Sequence, residues 1–445
     1  MAYFSYKQNL LNHFKYVQTA LERFGAEASV NARDFVLEVR AAGKRYSLCP
    51  QFLELRDGAR QYTPRFQPDV HAFAGWYPYF NRRWELSDEK LKFKAYAAAN
   101  GLATPEHSTD PSADMADVVV KKNVSSFSEG VDGPFRHARI RPLEPGEYYE
   151  RFVRGRSAKI YYVEDRPVCL ELESPATVIG DGRRTIRQLL ATRCRIKQQP
   201  IELKKQARYV RFLGRSLDDV LEAGAGQEVD FRYGSIFNLT ADMETVDLAK
   251  NMIQDLAAQL AAIGERLWTG IPAELRRTAV YTVDAVLDAD GKLWLVEMNS
   301  NPYLHPWLYP AMFDALFRAE AAPQPTLPYR PAGNGAQSAN ETFQLALMQF
   351  AAGATAQALA LWHRVLQMQP DHAGALYHIG LACARDGRAA ESRRALETLL
   401  YTVPRSNVYF DSARQLLNSL GGADRIDAPV APGGDAPTQP QPSRH

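Results

Sequence analysis

The sequence predicts an α+β protein, with an N-terminal α/β unit, a larger strand-and-helix domain and a C-terminal all-α repeat. Three observations predict it. Apolar runs of period two and period 3.6 alternate through residues 1–320. The turn Ala289-Asp290-Gly291 joins two strand-like runs, Val280 to Leu287 and Leu293 to Met298, as a hairpin would. Finally, Ala346, Gly353, Ala356, Leu366 and Pro370 recur 34 residues later as Gly380, Gly387, Ala390, Leu400 and Pro404. That period is the one of the tetratricopeptide helix–turn–helix unit.

Each element follows in order. Leu10, Leu11, Phe14, Val17, Leu21 and Phe24 lie at helical spacing, and Gly25 ends the run. Phe35 to Val39 and Tyr46 to Cys49 read as strands around a Gly43-Lys44 turn, whereas the aromatic stretch Tyr62 to Trp84 has no assignable period. Ser87 or Asp88 caps a helix through Lys90, Phe93 and Tyr96 that stops at Gly101. Strands are expected at Val118 to Lys121, Tyr148 to Val153, Ala158 to Val163 and Val168 to Leu172, and a long helix at Leu248 to Leu267. The expected divisions are 1–86 for the N-terminal unit, 87–320 for the catalytic-size domain and 321–340 for a polar linker. The repeats take 341–421, and a Pro- and Gln-rich tail takes 422–445.

Composition narrows the function. The chain has 445 residues, 46% hydrophobic and 23% charged, and can bury large cores without disulfides. Lys plus Arg is 53 against 51 for Asp plus Glu, a net charge of +2 that gives no general field for nucleic acid. The four cysteines form no CxxC pair and no zinc spacing, which reads as a reducing compartment. No apolar run reaches the length of a membrane span and no leader pattern opens the chain, so a soluble cytoplasmic protein is expected. Neither a P-loop nor a dinucleotide glycine fingerprint is present, and no Ser/His/Asp or Cys/His arrangement points to a covalent nucleophile.

The sharpest cluster is the hairpin itself. With period two, Asp284 shares a strand face with Thr282 and Val286, and Glu297 shares one with Asn299. If the strands pair across the turn, three oxygen side chains converge, a donor set that suits magnesium. The competing reading is a surface hairpin with a wet polar face. Lys121 ends a β run before a loop containing Ser125, Ser126 and Ser128. It is either a phosphate-binding point charge or a solvated lysine. Glu150-Arg151-Phe152-Val153 reads as a strand leaving a crossing point, where backbone groups can meet an adenine edge. Lys159, Arg211, Arg232, Arg276 and Arg277 are candidates for holding carboxylate or phosphate oxygens, although each taken alone reads first as a surface charge.

The order of these pieces resembles the ATP-grasp ligases, in the flavour of cyanophycin synthetase and the bifunctional glutathione synthetases. The resemblance spans about 87–310. It rests on Ser87-Asp88-Glu89-Lys90, Gly101-Leu102-Ala103-Thr104-Pro105, Val118-Val119-Val120-Lys121 and Phe152-Val153-Arg154-Gly155. It rests further on the run Pro175-Ala176-Thr177-Val178-Ile179-Gly180-Asp181-Gly182, with Thr185-Ile186, and on Gly226-Gln227-Glu228-Val229-Asp230, Asn238-Leu239-Thr240 and the hairpin acids. The resemblance implies an ATP-grasp fold and a carboxylate–amine ligase acting through an acyl phosphate, with ATP and two Mg²⁺ ions as cofactors. It implies that Lys121 and the Ser125–Ser128 loop meet the ATP phosphates, and that Glu150, Arg151, Phe152 and Val153 form the adenine hinge. Asp284, Glu297 and Asn299 would hold the metal, and Arg232 with Arg276 or Arg277 would stand near the acyl phosphate. Lys159 looks like the basic residue that follows the hinge. The sequence departs from the family pattern in its Ser-rich lid, in Lys122 where proline is common, and in Arg156-Ser157 where Arg-Glu is usual.

Amino acids or peptides are the expected substrates. The repeats suggest a protein or peptide partner, or a homodimer. Two other functions fit the same residues: a phosphotransferase on this fold, and a non-catalytic protein whose repeats bind a partner.

Overall fold

The structure, a computed structural model, describes residues 10–318 apart from 32–33, 57–58, 67–69, 125–130, 194–202, 240–241, 249 and 251–252, and residues 339–420 apart from 352 and 406. The chain divides into two compact units, Met1–Gly333 and Asn334–His445.

In the first unit, α1 (Leu10–Glu22) buries Phe14, Val17 and Leu21, the face that its apolar spacing defines. Five antiparallel strands follow: β1 (Glu27–Val30), β2 (Leu37–Ala41), β3 (Lys44–Arg56), β4 (Ala59–Thr63) and β5 (Val70–Tyr77). They are ordered β1-β2-β3-β4, and β5 also pairs with β3. The stretch without an assignable period, Tyr62 to Trp84, therefore holds the end of β4 and all of β5. The reason is burial on both faces: Ala72, Phe73, Ala74, Trp76 and Tyr77 are all inside, so no alternation marks β5.

Two short helices, α2 (Glu85–Asp88) and α3 (Lys90–Ala99), lead into a four-stranded sheet. Its strands are β6 (His107–Ser108), β7 (Ala116–Lys122), β8 (Val131–His137) and β9 (Glu147–Arg151), in the order β6-β9-β7-β8. The first turn of α3 is fixed by Asn123, whose carbonyl and side-chain oxygens accept the amides of Lys90 and Leu91.

A second large sheet begins with β10 (Arg156–Val163) and β11 (Arg166–Glu173). Between β11 and its next strand lies a small lobe: β12 (Ala176–Ile179), α4 (Ile186–Arg193), α5 (Lys204–Phe212) and β13 (Gly226–Asp230). Val178, Ile186, Leu190, Val210, Leu217 and Val229 form its core. The large sheet resumes with β14 (Met243–Asp247), passes through α6 (Gln254–Gly270) and α7 (Ala273–Arg276), and closes with β15 (Val280–Leu287) and β16 (Leu293–Asn299). Its order is β14-β11-β10-β15-β16. The helix expected from Leu248 starts six residues later, because the Leu248 amide still bonds to the Val168 carbonyl on the sheet. Gly155 sits where a Cβ would fall 2.2 Å from the Leu287 carbonyl oxygen, so glycine lets this chain crossing close. The helix α8 (Tyr309–Arg318) ends the described part of the unit.

The two faces of the large sheet differ sharply. Ala158, Ile160, Tyr162, Leu170, Leu172, Tyr281 and Val283 pack with Leu256, Leu260, Ile263 and Leu267 of α6 in one core. Each such side chain contributes about 1.5–3 kcal/mol by leaving water. Residues one step out of phase, Lys159, Tyr161, Glu171, Thr282, Asp284 and Glu297, therefore occupy the opposite face.

The second unit is all helical: α9 (Ala339–Ala351), α10 (Thr355–Met368), α11 (Ala373–Arg385), α12 (Ala389–Thr402) and α13 (Phe410–Ser419). Phe343, Ala346, Trp362, Val365, Ile379 and Cys383 share one core. The recurrent glycines Gly353 and Gly387 fall in the two inter-helix turns, at φ of 80° and 73°, where a side chain would be strained.

Cys49, Cys169 and Cys383 are buried. No helix among the described residues is long and apolar enough to cross a membrane.

Candidate active site

The hairpin brings its three polar residues together. β15 and β16 pair so that Asp284 faces Glu297 and Thr282 faces Asn299. The Asn299 amide donates to Asp284 Oδ2 at 3.2 Å. The register steps by one residue just after Asp284, a bulge that ends regular pairing next to the acids. On the neighbouring strand, Lys159 stands opposite Asp284 and donates to its Oδ1. From α3, Lys90 reaches Glu297 Oε2 at 2.9 Å.

Burial raises the Asp284 carboxyl above the usual carboxylate range, and Glu297 adds to this while Lys159 opposes it. Burial acts on Glu297 in the same sense, but Lys90, Lys121 and Lys159 outweigh it and hold that carboxyl low.

A second buried cluster belongs to the four-stranded sheet. Glu150 lies on β9, diagonal to Lys121 on β7. Its two oxygens are taken separately: Lys121 approaches Oε1 at 2.6 Å and Lys94 approaches Oε2 at 2.5 Å. Lys94 also donates to Thr104 Oγ1 at 3.1 Å. Lys94 is 0% exposed and Glu150 3%. Burial pulls the Lys94 ammonium below its usual range, with Glu150 countering. The Glu150 carboxyl is held low by Lys121 and Lys94 against the effect of burial. Two cations sharing one carboxylate in a buried place leave an excess of positive charge, which favours an added anion.

Around Glu150 the expected hinge is partly committed. The Arg151 amide donates to the Glu106 carbonyl and the Phe152 amide to the Asp117 carbonyl. The Phe152 ring packs against Tyr209, Phe212 and Phe231, and the Arg151 side chain is exposed. Val153 follows, half-buried, just past the end of β9.

Arg232 is gripped by Asp230, through Nε at 2.9 Å and Nη2 at 2.6 Å. Its loop is anchored on the large sheet, because the Tyr233 hydroxyl donates to Glu171 and the Gly234 amide to Glu173, each at 2.6 Å. The Tyr233 ring lies 5.2 Å from Lys159 Nζ, which carries this loop to the acids.

Arg276 and Arg277 lie ahead of β15, on and just after α7. The Arg276 guanidinium donates to the carbonyls of Ile271 at 2.7 Å and Thr269 at 2.5 Å, and faces the Trp268 ring. Arg277 is exposed. Both precede β15, and Asp284 lies roughly 20 Å farther along the chain at strand rise. Ser125, Ser126 and Ser128 lie outside the described residues.

Sequence reasoning assigns no role to Lys94 or to the Lys90–Glu297 pair. The available signal was their four-residue spacing at the start of a helix, which puts both ammonium groups on one side. Glu171, buried beneath Tyr161 and Tyr233, carried no signal beyond its period-two position.

Among the described residues no group of three or more His, Cys, Asp and Glu side chains is set to hold a metal ion. The donors here are two carboxylates and one amide oxygen. That is a hard oxygen set, suited to a divalent cation that keeps waters and takes further oxygens from a phosphate. It does not suit zinc, which selects imidazole and thiolate.

No family model and no curated protein matches the chain. Among solved structures it is similar to a bifunctional glutathione synthetase from Pasteurella multocida, at 13% identity and TM-score 0.35, over 69% of this chain and 43% of that one. It is also similar to D-alanine–D-alanine ligase from Bacillus anthracis, at 12% identity and TM-score 0.28, over 52% and 63%. D-cycloserine synthetase DcsG matches at 12% identity and TM-score 0.29, over 52% and 70%. The chain thus spans less than half of the Pasteurella enzyme. Likeness at these scores is too slight to settle fold or chemistry, and the functional reading rests on the chain's own residues.

Proposed function

We propose that the chain is an ATP-dependent carboxylate–amine ligase of the ATP-grasp type, acting on amino-acid or peptide substrates. The observation that carries this reading is the pairing of Asp284 with Glu297 across the hairpin, with Lys90 and Lys159 on the acids. The Lys94–Glu150–Lys121 cluster supports it from the four-stranded sheet. Acids beside converging ammonium groups are what a metal–polyphosphate substrate requires. The order of sequence motifs supports the same class.

In this reading Lys94 and Lys121 bind polyphosphate oxygens, and the segment from Glu150 to Val153 borders the adenine. Asp284, Glu297 and Asn299 would hold magnesium, which draws charge from phosphoryl oxygens. Lys159 stands beside these acids and stabilises the transferring phosphoryl group. A substrate carboxylate oxygen attacks the γ-phosphorus, the bridging P–O bond breaks, and ADP leaves. An amine then forms the C–N bond, loses a proton, and expels phosphate from the acyl carbon. Arg232, held by Asp230, faces the developing negative charge. The helical repeats bring a peptide or protein partner to the enzyme.

The test is incubation with MgATP and a pool of amino acids and short peptides, reading phosphate release and condensed masses. Phosphate together with a mass equal to two substrates minus water, both lost in Glu297→Ala, is the expected result. A stable phosphorylated product with no condensation would replace the ligase by a phosphotransferase. Condensation that survives Glu297→Ala would overturn the metal assignment.

A further inference from the structure

The N-terminal sheet grips the hairpin at both ends. At its start, the Tyr79 hydroxyl accepts the Val280 amide at 2.9 Å and lies 3.2 Å from the Val280 carbonyl. At its exit the hold is denser. The hydroxyl of Tyr62, on β4, donates to the Asn301 carbonyl, and that of Tyr77, on β5, donates to the next carbonyl, Pro302. The Asn301 side chain donates to the Arg82 carbonyl at 2.7 Å. The Leu304 amide donates to the Ala74 carbonyl at 2.7 Å. Gly75, at φ 132°, permits this approach, since a Cβ there would fall 2.5 Å from the Leu304 side chain.

These contacts have a common target. Asn301 and Pro302 immediately follow Ser300, and Asn299 is the last residue of β16. Past Asn299, which still pairs with Thr282, the strand pairing stops, so no ladder bond fixes the turn that follows it. Pro302 has no amide hydrogen to donate. The segment is held by the two tyrosine hydroxyls on consecutive carbonyls, together with the Asn301 side chain and the Leu304 amide. Tyr77 is fully buried and Tyr62 half-buried, and burial raises both phenols, so each keeps its proton to donate at neutral pH.

We infer that Tyr62 and Tyr77 are positioning residues, which hold the turn after β16 so that the Asn299 amide and the Glu297 carboxylate keep the spacing a divalent cation needs. The inference rests on the metal assignment made above. Hydrogen bonds behind a ligand set orient it, and their loss typically costs 10–100-fold in metal affinity.

The experiment measures Mn²⁺ affinity in the presence of ADP, by electron paramagnetic resonance, for the full chain and its variants. Tyr62→Phe and Tyr77→Phe each remove one hydroxyl and keep the ring. Tyr162→Phe is the structural control. Its buried hydroxyl donates to Leu260 at 2.9 Å on the opposite face of the large sheet, away from the acids. The expected result is about ten-fold weaker Mn²⁺ binding in Tyr77→Phe and in the double variant. Tyr162→Phe should lower the melting temperature by as much and leave Mn²⁺ affinity unchanged. Unchanged affinity in the double variant, or an equal loss in Tyr162→Phe, overturns the inference. Should the double variant not fold, Tyr62→Phe alone decides, because its half-buried ring stays in place. Absence of Mn²⁺–ADP binding in the unaltered chain would instead overturn the ligase reading itself, and the inference with it.

Discussion

Lys94 and Glu150 form an ion pair from which water is excluded, with 2.5 Å between Nζ and Oε2 and side chains 0% and 3% exposed. Among the described residues Glu150 also pairs with Lys121, at 2.6 Å, so removing its charge strands two ammonium groups. Breaking a buried pair on one side costs about 3–5 kcal/mol. Glu150→Gln is therefore expected to lose about that much stability in urea unfolding. Lys94→Met leaves the Lys121 pair intact and should destabilise less, while weakening ADP binding about ten-fold, or 1.4 kcal/mol, in calorimetry.

Asp284 sits where burial works against its charge. Its carboxyl is raised by burial first and by Glu297 next, so the fold disfavours its charged form. A group whose folded-state value is raised opposes folding once the pH climbs above its unfolded value. Asp284→Asn removes that opposition. The variant should melt no lower than the unaltered protein at pH 7 and yet bind no Mn²⁺ in the presence of ADP. A clear fall in melting temperature would mean that Asp284 is chiefly a structural partner of Lys159.

Gly155→Ala tests the crossing between the strand carrying Lys159 and the end of β15. The added Cβ meets the Leu287 carbonyl oxygen at 2.2 Å, and backbone cannot turn aside as a side chain can. A loss of about 1–3 kcal/mol is expected in equilibrium unfolding, from overpacking.

The helical unit carries a pH dependence of its own. The His378 ring stacks on Trp362, with centroids 5.3 Å apart, and its Nδ1 is buried without a hydrogen-bond partner. Burial, with the Arg385 charge second, lowers its value from 6.5 to about 4. The unfolded chain then binds a proton between pH 6.5 and about 4 that the folded chain refuses. Stability therefore falls as the pH drops through that window, by at most about 3 kcal/mol. His372 is shifted in the same direction. Urea titrations followed by circular dichroism at several pH values should show this slope. His378→Phe should flatten it, and an unchanged slope would assign the effect to other groups.

The hairpin was legible in the sequence because everything that makes it is local. Two period-two runs and an Asp-Gly turn set the facing of Asp284 and Glu297 within twenty residues. The turns at Gly353 and Gly387 were legible for a similar reason, since a glycine at positive φ marks each of them locally. The Lys94–Glu150–Lys121 cluster was not legible. It depends on a helix and two strands separated by loops whose lengths say nothing of register. For Arg276 and Arg277 the sequence gives only adjacency to a strand, which does not say which of its ends carries the chemistry. β5 was hidden by its own burial, as a strand covered on both faces loses the alternation by which strands are recognised.

The grip of the first sheet on the hairpin changes the meaning of the break in sequence pattern near residue 86. That break separates two styles of sequence, and it is not a place to cut. A fragment starting at Ser87 would keep every acid and lysine named here and lose Tyr62, Tyr77 and Tyr79. It would also bare Leu304, Tyr309 and Phe313, which are fully buried in the intact chain. Such a fragment would expose a sticky apolar surface where the intact protein has an interior. Expression trials meant to isolate the catalytic portion should therefore begin at the first helix, and shuffled or transplanted versions of that portion should carry the first sheet with them.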